Sequence, residues 1–156
     1  MEDWSFEAFY VHEYRPVLAL ARVLTGDQTR AEDVAHEAFT AALEAWNGLD
    51  NPSGWIRTVV ANKANSAWRR RYAERRALAR LATEVRVGSD LPSETEEFWA
   101  MVRTLPQSQA QAVALFYLED RPVSEIAEML GCEESTARVH LSRGRRTLAR
   151  RLKVDE

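Results

Sequence analysis

The chain is expected to be all-α: two small helical domains joined by a linker, the second containing a helix-turn-helix. Three observations lead to that reading. Apolar residues recur at three and four along most of the chain, which is the helical period. Between residues 82 and 97 that period lapses and turn residues take over, through Val87-Gly88-Ser89-Asp90-Leu91-Pro92. From Pro122 to Leu152 a short helical pattern stops at Gly131, and a longer one follows whose polar positions are crowded with arginine. The expected boundaries are 1–80 for the first domain, 81–97 for the linker and 98–156 for the second. Such a linker allows a compact or an extended arrangement of the two halves.

At 156 residues there is room for one domain or two very small ones, and 46% hydrophobic residues suffice for packed cores. No apolar run approaches the roughly 20 residues of a membrane span, so no membrane insertion is expected. The N-terminus is acidic and aromatic, unlike a signal peptide. Cys132 is the one cysteine, which excludes an internal disulfide and fits a reducing, cytoplasmic setting.

The formal net charge of -3 speaks weakly against nucleic acid, but the charge is segregated. Residues 1–50 carry ten acids against three arginines, and 84–134 carry eleven against three. Residues 55–80 hold eight Lys or Arg against Glu74 alone, and 138–153 hold seven against none. Two basic blocks alternating with two acidic ones suit a chain that meets a polyanion at two places and something else with its acidic faces.

Taken in order, Phe6, Phe9, Tyr10, Val17, Leu20, Ala21 and Leu24 predict a helix over 4–25, with Pro16 expected to break or kink it. Gly26-Asp27 ends it, and Thr29 with Glu32 three residues on resembles a capping box for the next helix. That helix, about 30–46, places Val34, Ala38, Ala41, Ala42 and Ala45 on one side. Asp33, His36, Glu37, Thr40 and Glu44 line the other, with Phe39 at its edge as an exposed aromatic. This acidic stripe suits either solvated surface or a docking face for a basic protein. Asn51 is then placed to cap a helix with Pro52 at its first position.

In the helix opened by Pro52, Ile56, Val59, Val60, Ala64 and Ala67 face inward. Trp55, Thr58, Asn62, Asn65, Ser66 and Arg69 fall on one outward stripe, followed by Arg70, Arg71, Arg75 and Arg76. Aromatic rings stack on unpaired bases, amides and hydroxyls read base edges, and arginines hold phosphates. A half-buried Trp55 among solvated arginines is the plainer alternative. Past the linker, a short helix near 94–104 is followed by one over 107–119 with Ala110, Val113, Phe116 and Tyr117 inward.

In the helix-turn-helix, Ile126, Ala127 and Leu130 share a face, and glycine at 131 allows the left-handed turn. Ala137, Leu141, Gly144, Leu148 and Leu152 form one narrow apolar stripe on the second helix. Outside it lie Arg138, His140, Ser142, Arg143, Arg145, Arg146, Arg150 and Arg151, a face for a polyanion. The helix dipole accounts for positive charge in the last turn only. Enzyme chemistry has little support: His12, His36 and His140 show no metal-ligand spacing with Cys132, and there is no phosphate-binding glycine loop or nucleophile motif.

Together these stretches resemble the extracytoplasmic-function (ECF) group of bacterial sigma factors, over nearly the whole chain apart from the linker. Ala31-Glu32-Asp33-Val34-Ala35-His36-Glu37-Ala38-Phe39 is similar to the family's region 2.2. Pro52-Ser53-Gly54-Trp55-Ile56 through Asn62 to Trp68-Arg69-Arg70-Arg71 is similar to regions 2.3 and 2.4. Leu105-Pro106 and Ser124 to Leu148 resemble region 4. The resemblance implies docking of Asp33, His36, Glu37 and Phe39 on the coiled coil of the beta-prime subunit of core RNA polymerase. It implies that Asn51, Trp55, Asn62, Ser66, Arg69 and Arg70 hold the opened minus-ten strand, with a flipped base in the Asn47–Gly54 loop.

The helix from Glu134 to Leu148 would enter the major groove of the minus-thirty-five duplex, with Arg138, His140 and Ser142 on bases and Arg143, Arg145 and Arg146 on phosphates. An anti-sigma factor is a further implied partner; no cofactor, catalytic residue or metal ligand is implied. His36 stands where the family usually has Gln, Ser66 where Asp is common, and Glu133 where a Ser usually caps the recognition helix. A stand-alone helix-turn-helix regulator with an N-terminal helical sensor is the competing reading, and such a sensor has no need of the Trp, Asn and Arg stripe over 52–76.

Overall fold

The architecture follows from where apolar faces find partners. A computed structural model describes residues 5–64 and 93–154, with side chains described over 5–64 and 96–151. The expected linker lies outside these residues up to residue 92, as do Asn65, Ser66, Ala67, Arg69, Arg70, Arg71, Arg75 and Arg76. The described residues are helical throughout, without strands: α1 Phe6–Thr25, α2 Gln28–Ala45, a single 3-10 turn Trp46–Gly48, α3 over 52–64, α4 Ser93–Arg103, α5 Gln107–Glu119, α6 Val123–Leu130 and α7 Glu134–Val154.

α1 is one helix of 20 residues that runs through Pro16, so the expected break does not occur. Proline removes one backbone donor, but the buried face continues on both sides of it through Phe9, Glu13, Val17, Leu20 and Leu24. Packing on α2 holds the two halves of the helix in line. The cap of α2 also differs from expectation: Asp27, not Thr29, accepts a hydrogen bond from Arg30 N at 3.2 Å. Thr25 Oγ1 accepts from Asp27 N and fixes the entry. Asn51 caps α3 as expected, its Oδ1 accepting from Gly54 N at 3.2 Å.

Phe39 is only 3% exposed, which corrects its placement at the edge of the acidic face. It packs edge-on against Phe9 and Tyr10, at centroid distances of 5.7 and 4.9 Å, and Trp46 closes the group at 5.0 Å from Phe9. Tyr117, expected inward, is exposed at 45%. α5 instead buries the continuous run from Ala110 to Leu115, because it lies between α1 and α7 and touches α4 and α6 as well. Small residues let neighbours approach that closely. At Gly144 a Cβ would meet Val113 Cγ2 at 2.9 Å, so the α5–α7 contact depends on the missing side chain.

The helix-turn-helix forms as expected. Gly131 adopts φ 68°, and Cys132 N donates to Ala127 O across the turn at 3.0 Å. α6 buries Ile126, Ala127 and Met129, α7 buries Ala137, Leu141 and Leu148, and the two helices pack on each other; Met129 takes the buried position expected for Leu130, which is half-buried.

The two halves share one connected apolar cluster, and two buried arginines cross between them in opposite directions. Arg57, 3% exposed on α3, donates through Nε to Glu119 Oε1 of α5 at 2.6 Å, and its Nη1 lies 2.5 Å from Glu13 Oε2 of α1. The same Nη1 donates to Ser53 O and Ser53 Oγ. Arg103 of α4 donates to Val23 O at 2.9 Å and pairs with Glu96 at 3.0 Å, thereby satisfying a carbonyl left open at the end of α1. Gly26, at φ 73°, leaves the space that Arg103 occupies, since a Cβ there would come within 2.7 Å of its Nε.

Removing the guanidinium strips the buried carboxylate of Glu13 of its arginine and leaves Glu119 with Arg121 alone, and breaking a buried pair in this way costs about 3–5 kcal/mol. Arg57→Ala is therefore expected to move the urea midpoint of the full chain down by that much stability, read by far-ultraviolet circular dichroism. A loss below about 1 kcal/mol would mean that the ion group is solvated and contributes no more than a surface pair.

Candidate nucleic-acid interface

Three surfaces matter, and each grows from one helix. On α7 the buried stripe of Ala137, Leu141, Gly144 and Leu148 fixes the rotation of the helix. Ser135, Val139, Ser142, Arg143, Arg146 and Arg150 consequently face away from the fold and are exposed. Of the sequence candidates, Ser142, Arg143 and Arg146 thus share the centre of the free face. Arg138 is exposed at its margin and pairs with Glu134 one turn back, at 3.0 Å. His140 is half-buried on the opposite margin. Arg145 leans back over Phe116 and Tyr117 of α5, with its guanidinium carbon 5.7 and 5.9 Å from the ring centroids. That cation–π geometry anchors it to the fold, in contrast to Arg143 and Arg146. The sequence candidates did not include Val139, which sits amid this polar face with 44% exposure.

Of the outward stripe expected on α3, Asn62 is exposed and Trp55 and Thr58 are half-buried. Thr58 Oγ1 donates to Met129 O at 2.8 Å, and Asn62 Oδ1 accepts from Gln107 Nε2 and Gln111 Nε2 at 3.3 and 3.1 Å. Trp55 is half-buried against the core. Beside it opens a cleft of about 600 Å³, walled by Asn51, Trp55 and Thr58 on one side and by Arg121, Glu125, Glu128 and Met129 on the other. Burial works against the charge of Arg121, yet Glu119 and Glu125 together hold its pKa above the ordinary guanidinium value. Ser66, Arg69 and Arg70, the remaining candidates of this stripe, lie outside the described residues.

On α2, Asp33, His36 and Glu37 are exposed along one side with Thr40 and Glu44. Glu37 reaches Lys63 of α3 at 3.4 Å, a pair exposed enough to be weak. Leu43 belongs to this surface too and is 55% exposed. Its spacing of seven from His36 and three from Thr40 is helical, so the sequence carried that signal without its being used. Phe39 stands behind the face as part of its support. Among the described residues no cluster of His, Cys, Asp and Glu has the makings of a metal site, and no helix is long and apolar enough to cross a membrane.

Residues 9–74 match the sequence profile of Sigma-70 region 2 and residues 95–148 that of Sigma-70, region 4. The probable RNA polymerase sigma factor RfaY of Xanthomonas campestris is 28% identical over 87% of this chain and 37% of its own length. The ECF RNA polymerase sigma factor EcfG of Rhodopseudomonas palustris is 29% identical over 88% of this chain and 79% of its own length. The ECF RNA polymerase sigma factor SigJ of Mycobacterium tuberculosis is 33% identical over 95% of this chain and 50% of its own length. The chain therefore spans between about a third and four fifths of these relatives.

In structure it is similar to the sigma factor RpoE of Bartonella quintana, solved with the anti-sigma factor NepR, at a TM-score of 0.72 and 21% identity over 97% of this chain and 98% of that one. CnrH, solved with the cytosolic domain of CnrY, gives the same TM-score and identity over 97% and 89%. With both regions matched in order, and with a helix-turn-helix in the second and the helical unit carrying the stripe and acidic face in the first, the chain belongs to the ECF group of the sigma-70 family.

Proposed function

We propose that the chain is an RNA polymerase sigma factor, which joins core polymerase, recognises a two-part promoter and stabilises strand opening without performing chemistry itself. The observation that carries this is the pairing, in one chain, of two different surfaces suited to DNA. α7 presents serines and arginines on a helix free to enter a major groove, the geometry of duplex readout. α3 presents Trp55, Thr58 and Asn62, a ring with polar neighbours suited to unpaired bases. A regulator that binds duplex alone needs only the first.

Asp33, His36 and Glu37, with Leu43 beside them, supply the docking face for the beta-prime coiled coil: acidic groups for a basic partner around one exposed apolar side chain. Phe39 supports this face from within. Arg143 and Arg146 hold phosphates, while Ser142 and Arg138 are within reach of base edges. An anti-sigma factor is the natural further partner, since the similar RpoE and CnrH structures each hold a second protein. The place of action is the cytoplasm, where polymerase is.

Run-off transcription over a genomic fragment library, with core polymerase and with or without this chain, tests the reading. Defined starts that need both components, sharing a motif upstream, are expected; tight duplex binding without any directed start would replace it with the stand-alone regulator. Asp33→Arg combined with Glu37→Arg is expected to abolish core association while helix content stays unchanged, as measured by native gel shift and circular dichroism. Arg143→Ala is expected to weaken promoter binding and to reduce the salt slope of log K by roughly 0.9, the contribution of one phosphate contact. An unchanged slope would remove that residue from the phosphates.

A further inference from the structure

Val139 is out of place chemically. A β-branched, apolar side chain gains nothing from solvent and is a mediocre helix former, yet it occupies the centre of the free face of α7 at 44% exposure. Ser142 and Arg143 stand three and four residues beyond it, one helical turn along the same stripe, and both are exposed. A helix laid with that stripe in a major groove brings Val139 to the base edges together with its polar neighbours. Of the groups a base pair displays there, only the thymine 5-methyl is apolar.

We infer that Val139 is a specificity-determining residue that reads a thymine methyl in the upstream promoter element, an inference resting on the reading of α7 as a major-groove helix. The test uses the chain with core polymerase on a promoter found by run-off, with each upstream thymine replaced singly by deoxyuridine. At one position the loss of the methyl is expected to weaken binding about fourfold, the equivalent of one buried carbon. In Val139→Ala, an exposed change that the helix tolerates, that difference should vanish. An upstream element without thymine, indifference to uracil at every position, or a difference that persists in Val139→Ala would each overturn the inference. If no directed start exists at all, the promoter reading itself has failed.

A second inference comes from the contact between the halves. Thr58 and Asn62, polar groups of the strand-binding stripe, are hydrogen-bonded to Met129, Gln107 and Gln111 of the second half. Glu125 and Glu128 of α6 face Asn51 and Trp55 across the cleft, where carboxylates repel a phosphate backbone. The catch is Arg57 on Glu119, whose Oε1 is shared with Arg121 of its own half, and it is an imperfect one: among the described residues Glu119 Oε2 is buried without a hydrogen-bond partner.

The geometry points to a self-covering closed state, in which α5 and α6 occupy the site of the opened strand and Arg57–Glu119 sets how firmly. Glu119→Gln keeps the shape and leaves Arg57 on Glu13 and Arg121 on Glu125. In the full chain it is expected to raise affinity for a fluorescent single-stranded oligonucleotide of the downstream element about tenfold, as a charge-assisted bond is lost from the closed state, and to increase the radius of gyration in small-angle scattering. Expansion without tighter binding would show that the covered stripe is not the strand site. Unchanged size and affinity would show that Glu119 is no catch. Absence of strand binding by both variants, even with core polymerase present, would remove the strand-binding reading on which the inference rests.

Discussion

One guanidinium holds the two halves of this chain in register. Arg57 lies between Glu13 and Glu119, one carboxylate from each half, and its Nη1 also donates to Ser53 at the start of its own helix. Lysine could not take this place: a point charge on a flexible stem cannot bind two carboxylates at fixed angles while keeping a third bond to backbone. Each half is small, and small domains have little apolar area with which to stabilise themselves. Sharing one apolar cluster and two buried arginines lets each half complete the other, with Arg103 closing the end of α1 that Gly26 leaves open.

The chemistry of that contact bears on function because, beside the shared apolar cluster, it is polar where α3 meets α5 and α6. Apolar contact is indifferent to what replaces it, whereas hydroxyls, amides and ions can exchange their partners for others of the same kind. Thr58 and Asn62 bond as readily to a base edge as to a backbone carbonyl or a glutamine. The closed state thus uses the chemistry expected of DNA, and a stripe that must later meet DNA need not be apolar to be covered in the meantime.

Much of this was legible in the sequence. The helix-turn-helix could be read because its signals are local: a glycine that must turn left-handed, a narrow apolar stripe recurring every three or four residues, and arginines with no acid among them. The exposed residues of α2 and the cap at Asn51 were local in the same sense. What escaped depended on distance. Arg57 looked like one of eight cations in a basic block, and its partner Glu119 is 62 residues away, so nothing nearby announced a buried ion group. Phe39 went astray because a helix face has no sharp edge; only Phe9, Tyr10 and Trp46, brought in by α1 and the turn after α2, decide that it points inward. Pro16 misled because a local penalty was weighed without the face that α2 offers to both ends of α1. Val139 is a single apolar residue off the buried stripe, and one residue makes no periodic signal.

The segregated charge then acquires a physical reason. A chain of net charge -3 that is to bind a polyanion must keep its acids away from the binding helix, and α7 has none beyond Glu134, which pairs with Arg138. Most other acids of the second half lie in α4, in α6 and at the end of α5, where Glu119 and Glu125 meet Arg57 and Arg121. The two helices of the motif therefore have opposite tasks. α7 carries positive charge outward to duplex DNA, while α6 carries negative charge inward, toward the surface that a single strand would otherwise reach. Were the acids spread evenly, α7 would lose its field and the closed contact its cations' partners, so one pattern of charge serves both the binding of DNA and its postponement.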